Sequence, residues 1–245
     1  MTFWQENLLM TRLYIAATMS MAKATPAAAT AVAAITATKR GRLNMKADCA
    51  NCKSHACYTK GVNCTGIDKD TILAAYNEEE RQIMKAAAFV EGTFYSNITR
   101  LQETAEFAKA MGYKKLGMAF CIGLNAEAKY IARYYRQQGF EFFSVCCKNC
   151  SFNKKELDLK QVKPELEHEA MCNPKMQAKI LADKGTEFYI SCGLCVGHDT
   201  LFNSACPGPV TTLVVKDRLL AHNPLGAIYS RYWKRKLGIM DEGEI

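Results

Sequence analysis

No run of apolar residues in the 245-residue sequence approaches the roughly 20 residues that a membrane-spanning helix needs. Nor is there a stripe of basic residues interleaved with aromatic residues, the pattern typical of nucleic-acid-binding surfaces. Internal repeats are absent as well. Hydrophobic residues make up 49% and charged residues 23%, which is ordinary for a globular protein and excludes a wholly disordered chain. We therefore expect a globular protein that binds neither nucleic acid nor a membrane.

The segment of residues 1–44 lacks cysteine and is rich in Ala and Thr, unlike the rest of the chain. It does not fit a secretory signal, because Glu6 precedes the first basic residue and Arg12 interrupts the apolar run LLMTRLYIAA. An organellar transit peptide is an alternative, since the segment is poor in acidic residues and contains arginine. Residues 1–46 also carry five of the eight net positive charges, so the remainder is nearly neutral. We expect residues 1–44 to be an extension, disordered or not native, of a cytoplasmic protein.

Cysteine is the residue in excess. Twelve cysteines among 245 residues are about 5%, below the roughly 8 to 10% of a disulfide scaffold and more than packing alone requires. Thiols in a reducing cytoplasm stay free, so disulfides are not their expected use. Metal or iron–sulfur ligation accounts better for so many thiols.

Short apolar runs alternate with helical patterns after residue 67. The runs are KLGMAFC (115–121), FEFFSVC (140–146), EFYIS (187–191) and PVTTLVV (209–215). Helical spacing and capping residues predict helices from Asp70 to Tyr76, after Asn77, from Ile98 to Met111, after Asn125, and over residues 174–184, 198–203 and 225–236. This alternation predicts an α/β fold with a mostly parallel sheet of about four strands flanked by helices. We assign residues 67–245 to this α/β domain and residues 45–66 to a small cysteine-rich module.

The cysteine-rich module contains four thiols within sixteen residues, in the spacing C-x2-C-x4-C-x6-C: Cys49, Cys52, Cys57 and Cys64. Four soft ligands match what tetrahedral zinc or a cubane iron–sulfur cluster needs. Structural zinc usually pairs two C-x2-C knuckles, and only the first knuckle is present. The spacing therefore favours an iron–sulfur cluster over zinc, although it does not fix the cluster type.

Three of the four apolar runs end at a cysteine or directly before one. Because parallel strands end at one edge of a sheet, and open α/β sheets bind ligands there, these thiols should gather at that edge. Thiolates brought close together repel one another unless a cation compensates, so we predict a metal or iron–sulfur site there. The alternative is that each thiol packs as a small hydrophobic group. The candidate ligands are Cys121, Cys146, Cys147, Cys150, Cys192 and Cys195.

The segment GLCVGHDTLF passes from a predicted strand into a helix and contains His198 and Asp199. An acid–base pair at this place would serve proton transfer, so both are candidate catalytic residues. The alternative is that Asp199 caps the short helix and His198 fills the turn. Cys172 lies at another helix start, before Asn173 and Pro174, and either reaches the same edge or is a structural thiol.

Several motifs occur together in one order: the segment from Cys49 to Cys64, FCIGLNAEA around Cys121, CCKNC at 146–150, CGLCVGHDTLF at 192–202 and VTTLVVKDRLLAHNPLGAIY ending at residue 229. Together they resemble a bacterial and archaeal domain-of-unknown-function family described as uncharacterised metal-binding proteins. The resemblance extends from about Lys46 to Trp233 and leaves out residues 1–44. It implies metal binding without an established reaction, and it implies that the cysteines named above are ligands. The surroundings of Cys206 are atypical, so this thiol is not counted among them.

Two functions of different classes follow from these features. The first is a redox or sulfur-handling enzyme whose metal at the sheet edge keeps an open ligand position for substrate. The second is a non-catalytic metal-binding or sensing protein whose thiols are saturated by zinc or by a cluster. The expected cofactor is an iron–sulfur cluster, with zinc as the alternative. The expected partner is an electron-transfer protein or a small-molecule substrate.

Overall fold

A computed structural model describes residues 48–240, so the predictions for residues 1–44 lie outside the described residues. The strands are β1 (Lys115–Phe120), β2 (Glu141–Cys146), β3 (Phe188–Cys192) and β4 (Val210–Val214). The helices are α1 (Ala56–Thr59), α2 (Lys69–Ala74), α3 (Glu78–Phe94), α4 (Arg100–Ala110), α5 (Asn125–Gln137), α6 (Pro174–Ala182), α7 (His198–Ala205), α8 (Gly226–Tyr229) and α9 (Arg231–Leu237). Short 3₁₀ turns occur at Cys49–Asn51, Ile122–Leu124 and Lys154–Leu157.

The four strands form one parallel sheet in the order β2-β1-β3-β4. In the register, Phe120 at the end of β1 lies beside Cys146 of β2 and Cys192 of β3. The α/β prediction, with a four-stranded parallel sheet flanked by helices, is confirmed. No helix within residues 48–240 has both the length and the apolar character that crossing a membrane would require.

Local sequence explains where the longer helices begin. The Asn77 side chain accepts a hydrogen bond from the Glu80 amide, and the Glu80 carboxylate accepts one from the Asn77 amide. Thr99 and Gln102 form the same capping box at the start of α4. Such boxes satisfy amides that lack a partner within the helix.

Alternation along the strands separates two apolar layers, because successive side chains point to opposite faces of a sheet. Met118 and Ile190 pack with α4 and α5 on one face. Their neighbours Ala119 and Tyr189 pack with α6 and α7 on the other. Helices therefore cover both faces, and the carboxyl edge of the sheet stays accessible to the loops that follow each strand.

Several helix boundaries differ from the predictions, and three of the differences have a clear local cause. α2 begins at Lys69, because the Asp68 side chain accepts a hydrogen bond from the Thr71 amide and caps it there. α5 includes Asn125, because the 3₁₀ turn leads directly into the helix. The helix predicted over residues 225–236 is divided into α8 and α9, because Ser230 has an extended backbone and caps the second piece.

Candidate functional site

The site lies at the carboxyl edge of the sheet, beside the point where the strand order reverses. The chain leaves β1 to form β2 on one side and then crosses to form β3 on the other. In open α/β sheets this switch point leaves a crevice that receives ligands. Cys121 directly follows β1, and Cys147 directly follows β2. Both extend the backbone ladder, since the Cys121 amide donates to the Cys192 carbonyl and the Cys147 amide to the Phe120 carbonyl.

Cys147 is buried between two other thiols. Cys121 and Cys147 pack in one apolar cluster, and Cys172 packs against it; the thiol of Cys147 shifts the pKa of both neighbours. It also accepts a hydrogen bond from the Ile122 amide at 3.4 Å. Three sulfur atoms from three separate segments therefore form a row with Cys147 in the middle. We call Cys121, Cys147 and Cys172 the thiol row.

The start of α6 brings Cys172 to this row. The Asn173 amide donates to the Cys147 carbonyl at 2.8 Å, which ties the two segments together. The Asn173 side chain then accepts from the Met176 amide, and Pro174 occupies the first turn of the helix. The sequence left two possibilities for Cys172, a place at the carboxyl edge of the sheet or a structural role elsewhere. The structure has Cys172 at the edge.

The side chain of Gln177 in α6 links the ends of β1 and β2 by hydrogen bonds. Its buried Nε2 donates to the Val145 carbonyl at 2.7 Å and to the Phe120 carbonyl at 3.2 Å. Phe120 is the last residue of β1, and Val145 is next to last in β2, so both carbonyls lie just before the edge cysteines. Gln177 therefore fixes the spacing between β1 and β2 where the thiols emerge.

The thiol row distributes its protons unevenly. Hydrogen bonding from Cys147, aided by Lys216, lowers the pKa of Cys121 to about 5. The same thiol, aided by Lys148 and His198, lowers the pKa of Cys172 to about 5. Hydrogen bonding with Cys121 and Cys172 raises the pKa of Cys147 above its usual range. The one proton of the Cys147 thiol can be donated to only one neighbour at a time, so the three thiols titrate as a coupled group.

The loop after β4 places basic groups over the thiols. The Asp217 carboxylate accepts hydrogen bonds from the amides of Leu219 and Leu220, which fixes the turn. The Asp217 amide donates to Nδ1 of His222, and the His222 amide donates to the Asp217 carbonyl. This closed loop positions Lys216 beside Cys121 and Arg218 beside Cys195, with Arg218 Nη2 2.8 Å from Cys195 Sγ.

Thiols and basic side chains line a pocket with a volume of about 410 Å³. Its thiols are Cys121, Cys147, Cys172 and Cys195. Its basic side chains are Lys148, Lys216, Arg218 and His222, and no Asp or Glu lines it. Such a site is suited to chemistry on soft, electron-accepting groups, because thiolates are held next to cations.

Three of the predicted edge cysteines do not line this pocket. Cys192 is fully buried in the apolar layer on the α5 side, where burial raises its pKa to about 12. Cys146 is half-buried and its sulfur accepts from the Lys148 amide at 3.4 Å. Cys150 is exposed, and its thiol donates to Asn149 Oδ1 at 3.1 Å. Strand alternation explains why Cys147 lines the pocket and Cys146 does not, since the two residues are neighbours and their side chains point in opposite directions.

The predicted acid–base pair does not line the pocket either. Asp199 accepts a hydrogen bond from the Thr200 amide at 2.7 Å, within its own helical turn. His198 is half-buried at the start of α7, close enough to Cys172 for its charge to lower the pKa of that thiol. His198 is therefore the member of the pair that interacts electrostatically with the thiol row, without lining the pocket.

The four thiols of the N-terminal module lie at the surface. Cys49, Cys57 and Cys64 are exposed, and Cys52 is half-buried beside Ser54. The Cys64 thiol donates to the Val62 carbonyl at 3.5 Å. Across residues 48–240, no three His, Cys, Asp or Glu side chains stand in an arrangement that already fits a metal ion. Ligand roles for these thiols therefore stay a prediction.

The basic side chains were the residues that sequence reasoning missed. Lys148 directly follows the edge cysteines, and the segment KDRLLAH follows the fourth apolar run. The rule that predicted thiols at the carboxyl edge applies equally to basic residues placed after a strand. That signal was present for Lys216, Arg218 and His222.

Comparisons with known proteins find one archaeal relative and one matching family model. The chain is 46% identical over 190 residues to "Uncharacterized protein MJ0455" of Methanocaldococcus jannaschii. The matched residues cover 77% of this chain and 97% of that protein. No solved structure matches the chain. A family model described as "Protein of unknown function (DUF1847)" matches residues 59–213, which include the whole thiol row. The chain therefore belongs to the DUF1847 family of proteins of unknown function.

Proposed function

We propose that the chain binds a soft metal through the thiol row, with an iron–sulfur cluster as the expected occupant. The observation that carries this proposal is the packing of Cys147 with Cys121 and Cys172 around one pocket. Soft thiolate donors favour zinc, copper(I) and iron–sulfur clusters over hard cations. Cys195 faces the same pocket and is the candidate fourth ligand. A bound cluster would supply one-electron redox chemistry for a redox or sulfur-handling reaction.

The surroundings of the thiol row support this proposal. Metal ligation requires thiolates, and Lys148 and Lys216 stabilise the deprotonated sulfur atoms that they contact. The amide of Ile122 donates to Cys147 Sγ, and such bonds to sulfur tune the reduction potential of a cluster. Loading would replace the S–H contacts within the row by bonds from sulfur to metal, with release of the thiol protons.

A second candidate function is a metal-free dithiol centre. The same packing that favours ligation also places Cys147 beside two partners for a disulfide. The lack of a ready metal arrangement among residues 48–240 favours this candidate. In it, Cys121 or Cys172 would attack a disulfide substrate, and Cys147 would resolve the mixed disulfide by releasing the second substrate thiol.

Metal analysis under anoxic conditions tests the proposal. Protein purified without oxygen should contain iron and acid-labile sulfide, and Cys121→Ser should remove one centre. Cys206→Ser is the matched control, because Cys206 is also a partly buried thiol but does not line the pocket. Stoichiometric zinc without sulfide would instead support the non-catalytic metal-binding alternative. Metal content that Cys121→Ser leaves unchanged would refute a site at the thiol row.

The N-terminal module is tested separately. Cys49→Ser should leave the metal at the thiol row in place, because the two sets of cysteines belong to different parts of the chain. Loss of all metal in either variant would contradict the division into two sites. A metal-free protein that forms a Cys147 disulfide under mild oxidation would support the dithiol centre.

A further inference from the structure

A second cavity lies at the opposite edge of the sheet from the thiol row. Phe188 begins β3 and Val210 begins β4, and both line this cavity, whereas Cys121 and Cys147 follow the ends of strands. The helices α3 and α4 form its other walls. Its volume is about 490 Å³, within the roughly 300–1,000 Å³ of pockets that hold small molecules. We call it the helix–sheet cavity, and it is large enough for a small organic ligand.

Aromatic side chains form much of the wall of the helix–sheet cavity. The rings of Phe107 and Phe188 have centroids 5.3 Å apart, and Phe94 and Tyr95 line the cavity from the end of α3. Aliphatic residues of α3 and of the start of β4 add further apolar surface. The faces of aromatic rings carry partial negative charge and attract organic cations. This wall therefore suits a ligand that has an apolar body and a positive charge.

Among the described residues, three charged side chains line the helix–sheet cavity, and two of them already pair with each other. Arg100 Nη1 donates to Glu103 Oε2 at 2.8 Å, and Arg100 Nη2 donates to Thr211 Oγ1 at 2.8 Å. The third is Glu91 of α3, whose carboxylate has no cation paired with it anywhere within residues 48–240. The cavity therefore offers one free carboxylate to a ligand.

We propose that the helix–sheet cavity binds an organic cation, an apolar molecule that carries an amine directed at Glu91. The aromatic wall and the free carboxylate select the same sign of charge, since both attract a cation. Arg100 does not select an anion, because Glu103 already neutralises its charge. This inference does not depend on the proposed metal site, because the two sites lie at opposite edges of the sheet and share no lining residue.

Isothermal titration calorimetry on the full chain tests the proposal with three probes of similar shape. Phenylbutylamine, phenylbutanol and phenylbutyrate share one apolar body, and their head groups are positive, neutral and negative at neutral pH. We expect saturable binding of the amine. The alcohol should bind about fivefold more weakly, the size expected for loss of one ion pair near the surface, and the carboxylate should bind more weakly still.

Two carboxylate variants test the role of charge. Glu91→Gln keeps the shape of the side chain and removes its charge, so it should weaken binding of phenylbutylamine about fivefold and leave binding of phenylbutanol unchanged. Glu165→Gln is the matched control, because it removes the same charge from the exposed loop between β2 and α6, away from the cavity. It should bind all three probes as the wild type does.

Two alanine variants test the position of the site. Ala87 and Ala88 are adjacent and exposed on α3, and only Ala87 lines the cavity. Ala87→Phe should fill the cavity and abolish binding of both the amine and the alcohol. Ala88→Phe adds the same side chain beside the cavity and should bind as the wild type does. Equal circular dichroism spectra of the two variants would show that both retain the fold.

Each outcome decides the proposal. Binding of phenylbutylamine that depends on Glu91 and that Ala87→Phe abolishes supports it. Equal affinity for the amine and the alcohol, or tighter binding of phenylbutyrate, overturns the cationic ligand. Binding that Ala87→Phe leaves unchanged overturns the site. Failure of all three probes to bind also overturns the proposal, and a dimer in light scattering that Ala87→Phe disrupts would show that a second copy covers the cavity instead.

Discussion

Removal of the central thiol should raise the pKa of its two neighbours. Hydrogen bonding from Cys147 is the largest cause that lowers the pKa of Cys121 and of Cys172 to about 5, against a usual value of 9.0. Cys147→Ala deletes this donor from both. The Lys216 and Lys148 side chains remain, so we expect both pKa values to move most of the way back toward 9.0.

The midpoint of the thiolate titration is the quantity to measure, rather than a rate of alkylation. A thiol with a lowered pKa is more ionised at neutral pH, but its thiolate is also a weaker nucleophile, and the two effects largely cancel in the rate. Ultraviolet absorbance of the thiolate in reduced, metal-free protein reports ionisation directly. In wild-type protein thiolate absorbance from the row should persist until the pH falls to about 5, and in Cys147→Ala it should be lost at a much higher pH.

Cys147→Ser is the matched control for this prediction. A serine hydroxyl keeps a donor at the same position, so its titration should lie closer to that of the wild type. The reasoning is wrong if Cys147→Ala and wild-type protein titrate with the same midpoint, or if the serine and alanine variants cannot be distinguished.

Three further predictions concern stability. Gly193→Ala should lower the free energy of unfolding by about 2–5 kcal/mol, because alanine would be held in a left-handed conformation and its Cβ would overlap Leu124. Gly112→Ala is the control: Gly112 also has a positive φ, but open space surrounds it, so its free energy of unfolding should fall only by the smaller amount due to backbone strain. Urea denaturation measures both. Gln177→Leu should cost about 1–3 kcal/mol, because two buried strand-end carbonyls lose their donor; an unchanged midpoint of urea unfolding would contradict that role. The row contributes stability that is greatest near pH 9. It declines as the pH falls toward 5, because the folded pKa values of Cys121 and Cys172 lie below the unfolded value, and it declines above pH 9, because the pKa of Cys147 is raised. Guanidinium unfolding of the metal-free protein between pH 5 and pH 9, with Cys147→Ala as control, measures the first decline.

The sheet could be predicted from sequence because its two central strands, β1 and β3, are buried on both faces. KLGMAF and EFYIS read as short continuous apolar runs, and each is preceded by a positive-φ glycine that ends a helix or turn, Gly112 and Gly185. These signals are local, so no tertiary information was needed. The final helix was less predictable, because its break at Ser230 depends on the backbone conformation of one residue.

The composition of the site could be predicted only in part. Cys121 and Cys147 followed from the rule that parallel strands end at one edge. Cys172 could not be placed by that rule, since it lies 25 residues after Cys147 in a segment with no strand of its own. Tertiary hydrogen bonds bring it into the row, among them those from the Asn173 amide to the Cys147 carbonyl and from Lys148 Nζ to the Ala170 carbonyl, and such contacts leave no periodic pattern in the sequence.

Strand alternation determines which edge thiols can act together. Cys192 ends β3 in register with Phe120, and its side chain enters the apolar layer under α5, where burial holds it protonated. Cys147 stands one residue beyond the β2 end, so its side chain has the opposite direction and meets Cys121 on the α6 side. A count of cysteines at strand ends therefore overestimates the site. Four thiols, from Cys121, Cys147, Cys172 and Cys195, share the pocket, and four is the number of ligands that a tetrahedral ion or a cubane cluster uses.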